Sequence, residues 1–187
     1  MRLLKTQNLQ AISIESIAKE AGVGKATIYR WWPSKASVVI DAFIQNHIVH
    51  TPMPQGVSWR EALAEHMRLL IEQYSGFGGR IVTQILAEGQ ANPDVLREFH
   101  ERFMYGRRAV VRETLEEARR RGELPPDVDL DLQMDILYAP IYMRLVTGYS
   151  PLDQHFADTY PDTVLNLFDN KRASGRGTAK SAKKRSR

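Results

Sequence analysis

The feature that most constrains this chain is a pair of short helical segments separated by a glycine turn. Ser13 is a good N-cap for a first helix from Ile14 to Ala21, and Gly22 can adopt the left-handed conformation that ends it. A second helix is predicted from Gly24 to about Trp31, because Pro33 moves the residue before it out of helical geometry. Two helices joined by a short turn that contains glycine form a helix-turn-helix.

The rest of the chain is also helical in its periodicity, and the alternating runs typical of strands are absent from the sequence. The segment HTPMPQGVS at 50–58 is rich in turn residues and indicates a domain boundary. We therefore predict an all-α chain with a helix-turn-helix domain over 1–50 and a C-terminal helical bundle over 51–170 that dimerises. A disordered basic tail is predicted over 171–187. Further helices are expected over 2–8, 35–49, 59–74, 80–89, 93–121, 130–147 and 152–168. An interruption is expected at 75–79, with a flexible helix junction at 76–79.

Charge is unevenly distributed among these three parts. Residues 1–50 carry a net charge of +3, residues 51–170 carry −7, and residues 171–187 carry +8. Basic ends around an acidic body indicate that the ends meet an anionic polymer. For the tail, two alternatives remain open: it binds the polymer, or it only keeps the chain soluble.

Composition narrows the class of protein further. The chain has no cysteine, which excludes disulfides and thiolate metal sites and fits a reducing cytoplasm. No signal peptide is evident, and no apolar run approaches the ~20 residues of a membrane span. We expect a cytoplasmic protein that does not bind a membrane, needs no cofactor and holds no metal. No catalytic motif supports an enzyme, although a helical enzyme is a third alternative.

Two lysines stand at predicted helix starts, where a cation opposes the helix macrodipole. These are Lys25, in the first turn after Gly24, and Lys35, after the capping residue Ser34. A polyanion would reverse that cost, because free N–H groups and a cation at a helix start form a phosphate site. DNA is therefore the predicted partner of the helix-turn-helix.

The stretch SIESIAKEAGVGKATIYRWWPSKASVVIDAF, residues 13–43, resembles the DNA-binding domain of the tetracycline-repressor (TetR) family of bacterial transcription regulators. The segment at 122–153, GELPPDVDLDLQMDILYAPIYMRLVTGYSPLD, resembles a ligand-binding and dimerisation domain of part of that family. The resemblance implies an all-helical homodimer that binds a palindromic double-stranded operator and leaves it when a small-molecule ligand enters the body. A sequence-tolerant architectural DNA-binding protein that uses the basic tail is the alternative.

The resemblance also assigns roles to individual residues of the first domain. It places Lys25, Ala26, Thr27 and Arg30 in the DNA groove, and Ser13, Tyr29 and Lys35 at phosphates, with Gly24 at the start of the same helix. Trp32 is expected in the core and Trp31 partly exposed, while Val23 and Ile28 are expected to fill the angle between the two helices. The family has a longer first helix than the ten residues before Ala11 allow, so we expect a shortened one braced by three leucines. These are Leu3, Leu4 and Leu9.

The body contains polar groups among aromatic residues, which is how small-molecule pockets fix the orientation of a ligand. An ordinary core is the competing interpretation of the same residues. His47 and His50 are spaced for a metal pair, but without further ligands we interpret them as a solvated helix end. Pro140 could open a cavity by bending its helix, and Pro161 should kink or break the last helix. The ligand-binding candidates are Tyr74, Gln84, Glu88, Phe99, Phe103, Arg107, Tyr138 and Tyr142.

The predicted dimer interface consists of the helices at 130–147 and 152–168. The first of these is apolar on more than one face, and a single body cannot bury all of it. Tyr142 and Phe156 are the candidate interface positions.

Overall fold

The computed structural model describes residues 1–168, and within that range every regular element is helical. The all-α prediction is therefore confirmed. The predicted tail at 171–187 lies outside the described residues. The helices are α1 (Arg2–Thr6), α2 (Ile14–Ala21), α3 (Lys25–Trp31), α4 (Lys35–His50), α5 (Trp59–Ser75), α6 (Phe77–Ala91), α7 (Pro93–Phe99), α8 (Tyr105–Arg120), α9 (Leu130–Thr147) and α10 (Gln154–Leu165).

The turn between α2 and α3 forms as the sequence predicts. The Ser13 hydroxyl accepts a bond from the Ser16 N–H, and Gly22 ends α2 with a φ of +69°. Ile28 packs with Ile14 and Ala18 in a small core between the two helices. Val23, expected in that core, is instead 41% exposed.

The two tryptophans have different environments. Trp31 is 69% exposed. Trp32 is half-buried against the small core, and its indole N–H donates to the Asp41 carboxylate at 3.1 Å. The end of the second helix is thereby attached to α4.

Helix α4 joins the first helices to the body. Its residues Ile40 and Phe43 are buried in one continuous core that also contains Leu4 and Leu9 from the N-terminal segment and Ile85 from α6. The N-terminal segment and α4 therefore share a core with the body, whereas α2 and α3 pack around their own small core. A movement of the body helices that contact Phe43 would therefore displace α4.

The long helix predicted after Asn92 is interrupted by a π-helical turn, His100–Met104, between α7 and α8. Such turns are frequent at functional sites because they change which residues face a neighbouring helix. The turn places Phe103 in the core beside Phe99, with ring centroids 5.2 Å apart.

Helix α6 begins at Phe77, so the predicted junction at 76–79 is shorter than expected and consists of Gly76 alone. Gly79 is the reason that α6 can start so close to the end of α5. A Cβ atom there would lie 2.0 Å from the Tyr74 carbonyl oxygen and 2.9 Å from the Leu145 side chain. Only a glycine fits this approach.

Both prolines expected to disturb helices lie inside them. Pro161 is buried in α10, which continues to Leu165, so the predicted break is wrong. Pro140 lies within α9, which also continues past it. Among residues 1–168, no helix is long and apolar enough to cross a bilayer.

Candidate functional site

The exposed face of α3 contains all the groove-facing candidates. Lys25, Ala26, Thr27 and Arg30 are exposed on this helix, while Ile28 is buried. Tyr29 is 56% exposed beside them. The surface therefore presents two cations, a hydroxyl and a phenol without using any core residue.

Each of the two helix-start lysines has a partner inside the chain, which sequence reasoning missed. The Lys25 ammonium contacts the Glu15 carboxylate at 2.7 Å, which raises the pKa of Lys25 and lowers that of Glu15. The Lys35 ammonium donates to the carbonyls of Gln10 at 2.9 Å and Ile12 at 3.2 Å. These contacts offset part of the macrodipole cost, so the lysine positions alone do not require DNA.

Ser13 and Gly24 occupy the cap positions of the two helices. Ser13 and Ser16 bond each other reciprocally, with the Ser13 N–H donating to the Ser16 hydroxyl at 3.1 Å. Gly24 precedes α3 without a side-chain cap, so N–H groups at the start of that helix remain available. Arg30 stacks near the Trp31 ring at 6.0 Å, on the exposed side.

The second candidate site is a cavity of about 410 Å³ between α4, α5, α8 and α9. This volume lies within the range of small-molecule sites. Asp135 and Ala139 are exposed, whereas His47, Tyr74 and Phe103 are buried, so the cavity leads from the surface of α9 into the body. Its lining consists of His47, His66, Leu70, Tyr74, Phe103, Met104, Arg107, Arg108, Asp135, Tyr138, Ala139 and Tyr142.

Five of the eight ligand-binding candidates line this cavity: Tyr74, Phe103, Arg107, Tyr138 and Tyr142. The other three do not. Gln84 accepts a hydrogen bond from the Leu9 N–H at 2.5 Å and fixes the N-terminal segment instead. Phe99 is fully buried behind Phe103, and Glu88 is half-buried on α6, away from the lining.

Two histidines of the cavity are held neutral. Burial lowers the pKa of His47 to about 3 and that of His66 to about 4, and the charge of Arg107 adds to both effects. The interpretation of His47 as a solvated helix end is therefore wrong, since it is 1% exposed. Its spacing from Ile40 and Phe43 is the signal that could have placed it inside. Within residues 1–168, no cluster of three metal-ligating side chains occurs.

The tyrosine hydroxyls form a neutral polar network on the cavity wall. Tyr74 and Tyr142 lie 3.2 Å apart at their hydroxyl oxygens, and the Tyr138 hydroxyl lies 3.1 Å from His66 Nε2. Burial raises the pKa of all three tyrosines, so they remain protonated. They can orient a ligand by hydrogen bonds, but they supply no charge.

Two adjacent arginines reach the cavity and differ in their partners. Arg108 pairs with Asp135 at 2.7 Å and with Asp131 at 3.3 Å. Arg107 donates through Nη2 to the Thr51 carbonyl at 2.5 Å and lies 3.3 Å from His66 Nδ1. Because a guanidinium only donates, His66 Nδ1 would be the acceptor in a hydrogen bond between the two.

A helix-turn-helix with an exposed second helix, attached to a helical body with an internal cavity, defines a DNA-binding transcriptional regulator. The family described as "Bacterial regulatory proteins, tetR family" matches residues 1–42, and the "Tetracyclin repressor-like, C-terminal domain" matches residues 53–164. The chain belongs to the TetR family, and it is a regulator rather than an enzyme.

Individual relatives agree with this assignment along nearly the whole chain. The HTH-type transcriptional regulator YdeS of Bacillus subtilis is 30% identical over 92% of this chain and 85% of its own length. The crystal structure of the TetR family regulator SCO0332 is 30% identical, with a TM-score of 0.76, covering 90% of this chain and 91% of that one. The flavonoid-responsive regulator FrrA is 26% identical, with a TM-score of 0.64 and 89% coverage of both chains.

Proposed function

We propose that this regulator is a homodimeric repressor that binds a palindromic operator and is released from it by a small organic ligand. The observation that carries the proposal is that α4 touches both candidate sites. Lys35, at its start, holds the turn before α2, and His47, near its end, lines the cavity. A ligand in the cavity therefore contacts the helix that supports the DNA-binding surface.

A chain of polar contacts offers a second connection between the two sites. Phe103 lines the cavity, and its neighbour Arg102 pairs with Glu98 at 2.8 Å and with Asp41 of α4. Asp41 in turn accepts the bond from Trp32, the residue that ends α3. A shift of the π-helical turn on ligand binding can thus reach the recognition helix. The ligand acts only through a difference in its affinity for the two arrangements.

The homodimer is supported by an exposed apolar stripe on α9. The α9 stripe consists of five residues with the four-three spacing of a helix–helix seam. Leu132, Met143 and Val146 are each more than half exposed, and Ile136 is 37% exposed. Its members are Leu132, Ile136, Ala139, Met143 and Val146.

The earlier candidate interface positions do not belong to this surface. Tyr142 faces the cavity, and Phe156 is 7% exposed under the Arg144 side chain. Charges introduced at those two positions would disturb the protomer itself. The exposed side of α10 has polar residues such as Asp158 and Asp162, which suit the rim of an interface better than its centre.

Paired recognition helices in a dimer would read two half-sites about 34–36 Å apart. FrrA is described as flavonoid-responsive, and its likeness to this chain supports a small organic ligand in the body. Architectural binding remains the alternative, because the tail contributes +8 without any acidic residue. A tail contacts phosphates without reading bases, so it would not produce a preferred sequence.

The test is selection of bound sequences from random duplex DNA, followed by affinity measurements at several salt concentrations. A palindrome bound with a specificity ratio of about 10³ or more supports the proposal. Absence of any preferred sequence would overturn it. Removal of residues 171–187 should lower affinity for operator and scrambled DNA equally, whereas complete loss of binding without the tail would favour the architectural alternative.

A further inference from the structure

The cavity contains one positive charge that no described acidic residue neutralises. Among residues 1–168, Arg107 pairs with no carboxylate, and its two contacts, with the Thr51 carbonyl and the His66 ring, both use Nη2. Nε and Nη1 are therefore free to donate. The neighbouring Arg108 differs, because Asp135 and Asp131 both contact it.

The one acidic residue of the lining, Asp135, is paired with Arg108, and the other lining residues carry no negative charge. The histidines of the lining are neutral and its tyrosines protonated, as described above. Arg107 is half-buried beside aromatic side chains and its guanidinium has no ionic partner among the described residues, so the cavity favours an anionic group beside it.

The rest of the lining is apolar or aromatic. Leu70, Phe103 and Met104 line the same cavity as Arg107. The Tyr74 and Tyr142 rings add an edge-to-face pair with centroids 5.8 Å apart. A small polar anion would leave this surface without a partner. The ligand must therefore combine a charged end with an apolar body.

We propose that the ligand is an amphipathic organic monocarboxylate, whose carboxylate pairs with Arg107 and whose apolar body occupies the aromatic part of the cavity. This inference rests on the proposed function, in which this cavity is the effector site. A guanidinium matches a carboxylate with two parallel hydrogen bonds. A phosphate ester, with nearly two charges, would leave one charge unpaired against a single free arginine.

The experiment is calorimetric titration of the full chain with aryl- and alkyl-carboxylates, such as 4-phenylbutanoate and 6-phenylhexanoate, each paired with its primary amide. Phenyl phosphate serves as the dianionic probe. We expect at least one carboxylate to bind about tenfold or more tightly than its amide and than phenyl phosphate. Failure of every carboxylate to exceed its amide would overturn the inference, as would a preference for the phosphate.

Variants locate the effect. Arg107→Gln should abolish the preference for carboxylate over amide, and Arg107→Lys should retain part of it. Arg112→Gln is the matched control, because Arg112 lies on the same helix, outside the cavity lining, and pairs with Asp131. It should keep the preference. A preference that survives in Arg107→Gln, in a variant shown by circular dichroism to be folded, would overturn the assignment to Arg107.

Operator binding in the presence of each probe separates this inference from the proposed function. Release of DNA by the amides as well as by the acids would leave the ligand-responsive repressor standing and refute the carboxylate class. A carboxylate that binds through Arg107 without changing operator affinity would uphold the ligand class and refute the effector role.

Discussion

Arg107 of α8 donates a hydrogen bond at 2.5 Å to the backbone carbonyl of Thr51, the residue that ends α4. The same guanidinium lines the cavity, so one side chain touches both the ligand space and the end of the helix that leads to the DNA-binding surface. A ligand that competes for Arg107 changes how the end of α4 is held. The ion pairs of Arg102 with Asp41 and Glu98 form a second, separate connection between the cavity and α4.

Arg102→Gln should weaken the communication between cavity and recognition helix while leaving the cavity intact. The change breaks the ion pairs to Asp41 and Glu98. We expect ligand affinity to stay within about twofold and the ligand-dependent loss of operator affinity to shrink by about 1–3 kcal/mol. Fluorescence anisotropy of labelled operator, with and without the best carboxylate, measures it.

Arg97→Gln is the control for that variant, because Arg97 lies on the adjacent α7 and pairs with Asp94, a residue of the same helix. It should respond to ligand like the unmodified chain. An undiminished response in Arg102→Gln would refute this route.

Lys25→Ala and Lys35→Ala should fail in different ways. Lys25 contacts only an exposed partner, Glu15, so its loss should leave the melting temperature unchanged and reduce operator binding about tenfold or more, with less effect on scrambled DNA. Lys35→Ala also removes the bonds to two backbone carbonyls, so it should lower the melting temperature. It should also weaken both DNAs and reduce the salt slope by about one per lost phosphate contact.

Differential scanning fluorimetry and binding at several salt concentrations check both lysine variants. Identical, uniform losses in the two would argue against base recognition by Lys25. Undiminished DNA binding in both variants would contradict the placement of α3 in the DNA groove.

Met143→Glu should convert the dimer to monomers, because it places a charge in the middle of the α9 stripe, where Met143 is 56% exposed. Burial of an unpaired carboxylate costs about 3 kcal/mol or more, so the dimer dissociation constant should rise about 100-fold. Light scattering after size exclusion measures the mass. Val49→Glu, at a position that is 75% exposed on α4, should remain dimeric. A Met143→Glu dimer of normal strength would place the interface elsewhere.

Gly79→Ala should destabilise the fold strongly, because the added Cβ would meet the Tyr74 carbonyl at 2.0 Å. Overpacking of this kind costs about 1–3 kcal/mol, and contact with backbone favours the upper end. Gly106→Ala is the control, since a Cβ on Gly106 meets nothing within 4 Å in α8. It should gain about 0.5–1 kcal/mol from helix propensity. Urea denaturation compares the two, and equal stabilities would contradict the close approach of α5 and α6.

Stability should fall as pH is lowered below neutrality, because two histidines are neutral inside the fold. In the unfolded chain they bind protons near pH 6.5, whereas the folded pKa values are about 4 for His66 and about 3 for His47. The unfolded state therefore holds more protons between pH 6.5 and 4, and each histidine should cost about 1 kcal/mol at pH 5.5.

Urea midpoints at pH 7.5 and 5.5 measure that loss. His66→Gln should show a smaller loss between the two pH values, and the exposed His155→Gln should behave like the unmodified chain. An unchanged pH dependence in His66→Gln would show that the folded state does not lower the pKa of His66.

The helix-turn-helix was predictable because its signals are local. Ser13, Gly22 and Pro33 each act on their own backbone or on residues close to them in sequence, and the structure begins and ends α2 at the predicted residues. The partners of Lys25 and Lys35 were not predictable in this way. Glu15 is ten residues from Lys25, and Gln10 is 25 residues from Lys35, so only the folded turn brings them together.

The cavity was partly predictable, since polar groups among aromatic residues indicated Tyr74, Tyr138 and Arg107. The periodicity of a helix does not show whether its mixed polar and aromatic face lines a cavity or packs against another side chain. Gln84 has the same pattern, but its amide is occupied by the Leu9 backbone. The π-helical turn made the cavity harder to predict, because it changes which residues of α8 face the body. Its sequence, HERFM, contains no proline or glycine that would indicate the change.

Ala139 is the member of the α9 stripe that also belongs to the cavity lining. With the stripe paired as proposed, a larger side chain at this position would press on the ligand and on the second subunit together. A single substitution at Ala139 would then change both the ligand preference and the pairing of the subunits. A related regulator that changes only one of these two properties would therefore have to do so through residues other than Ala139.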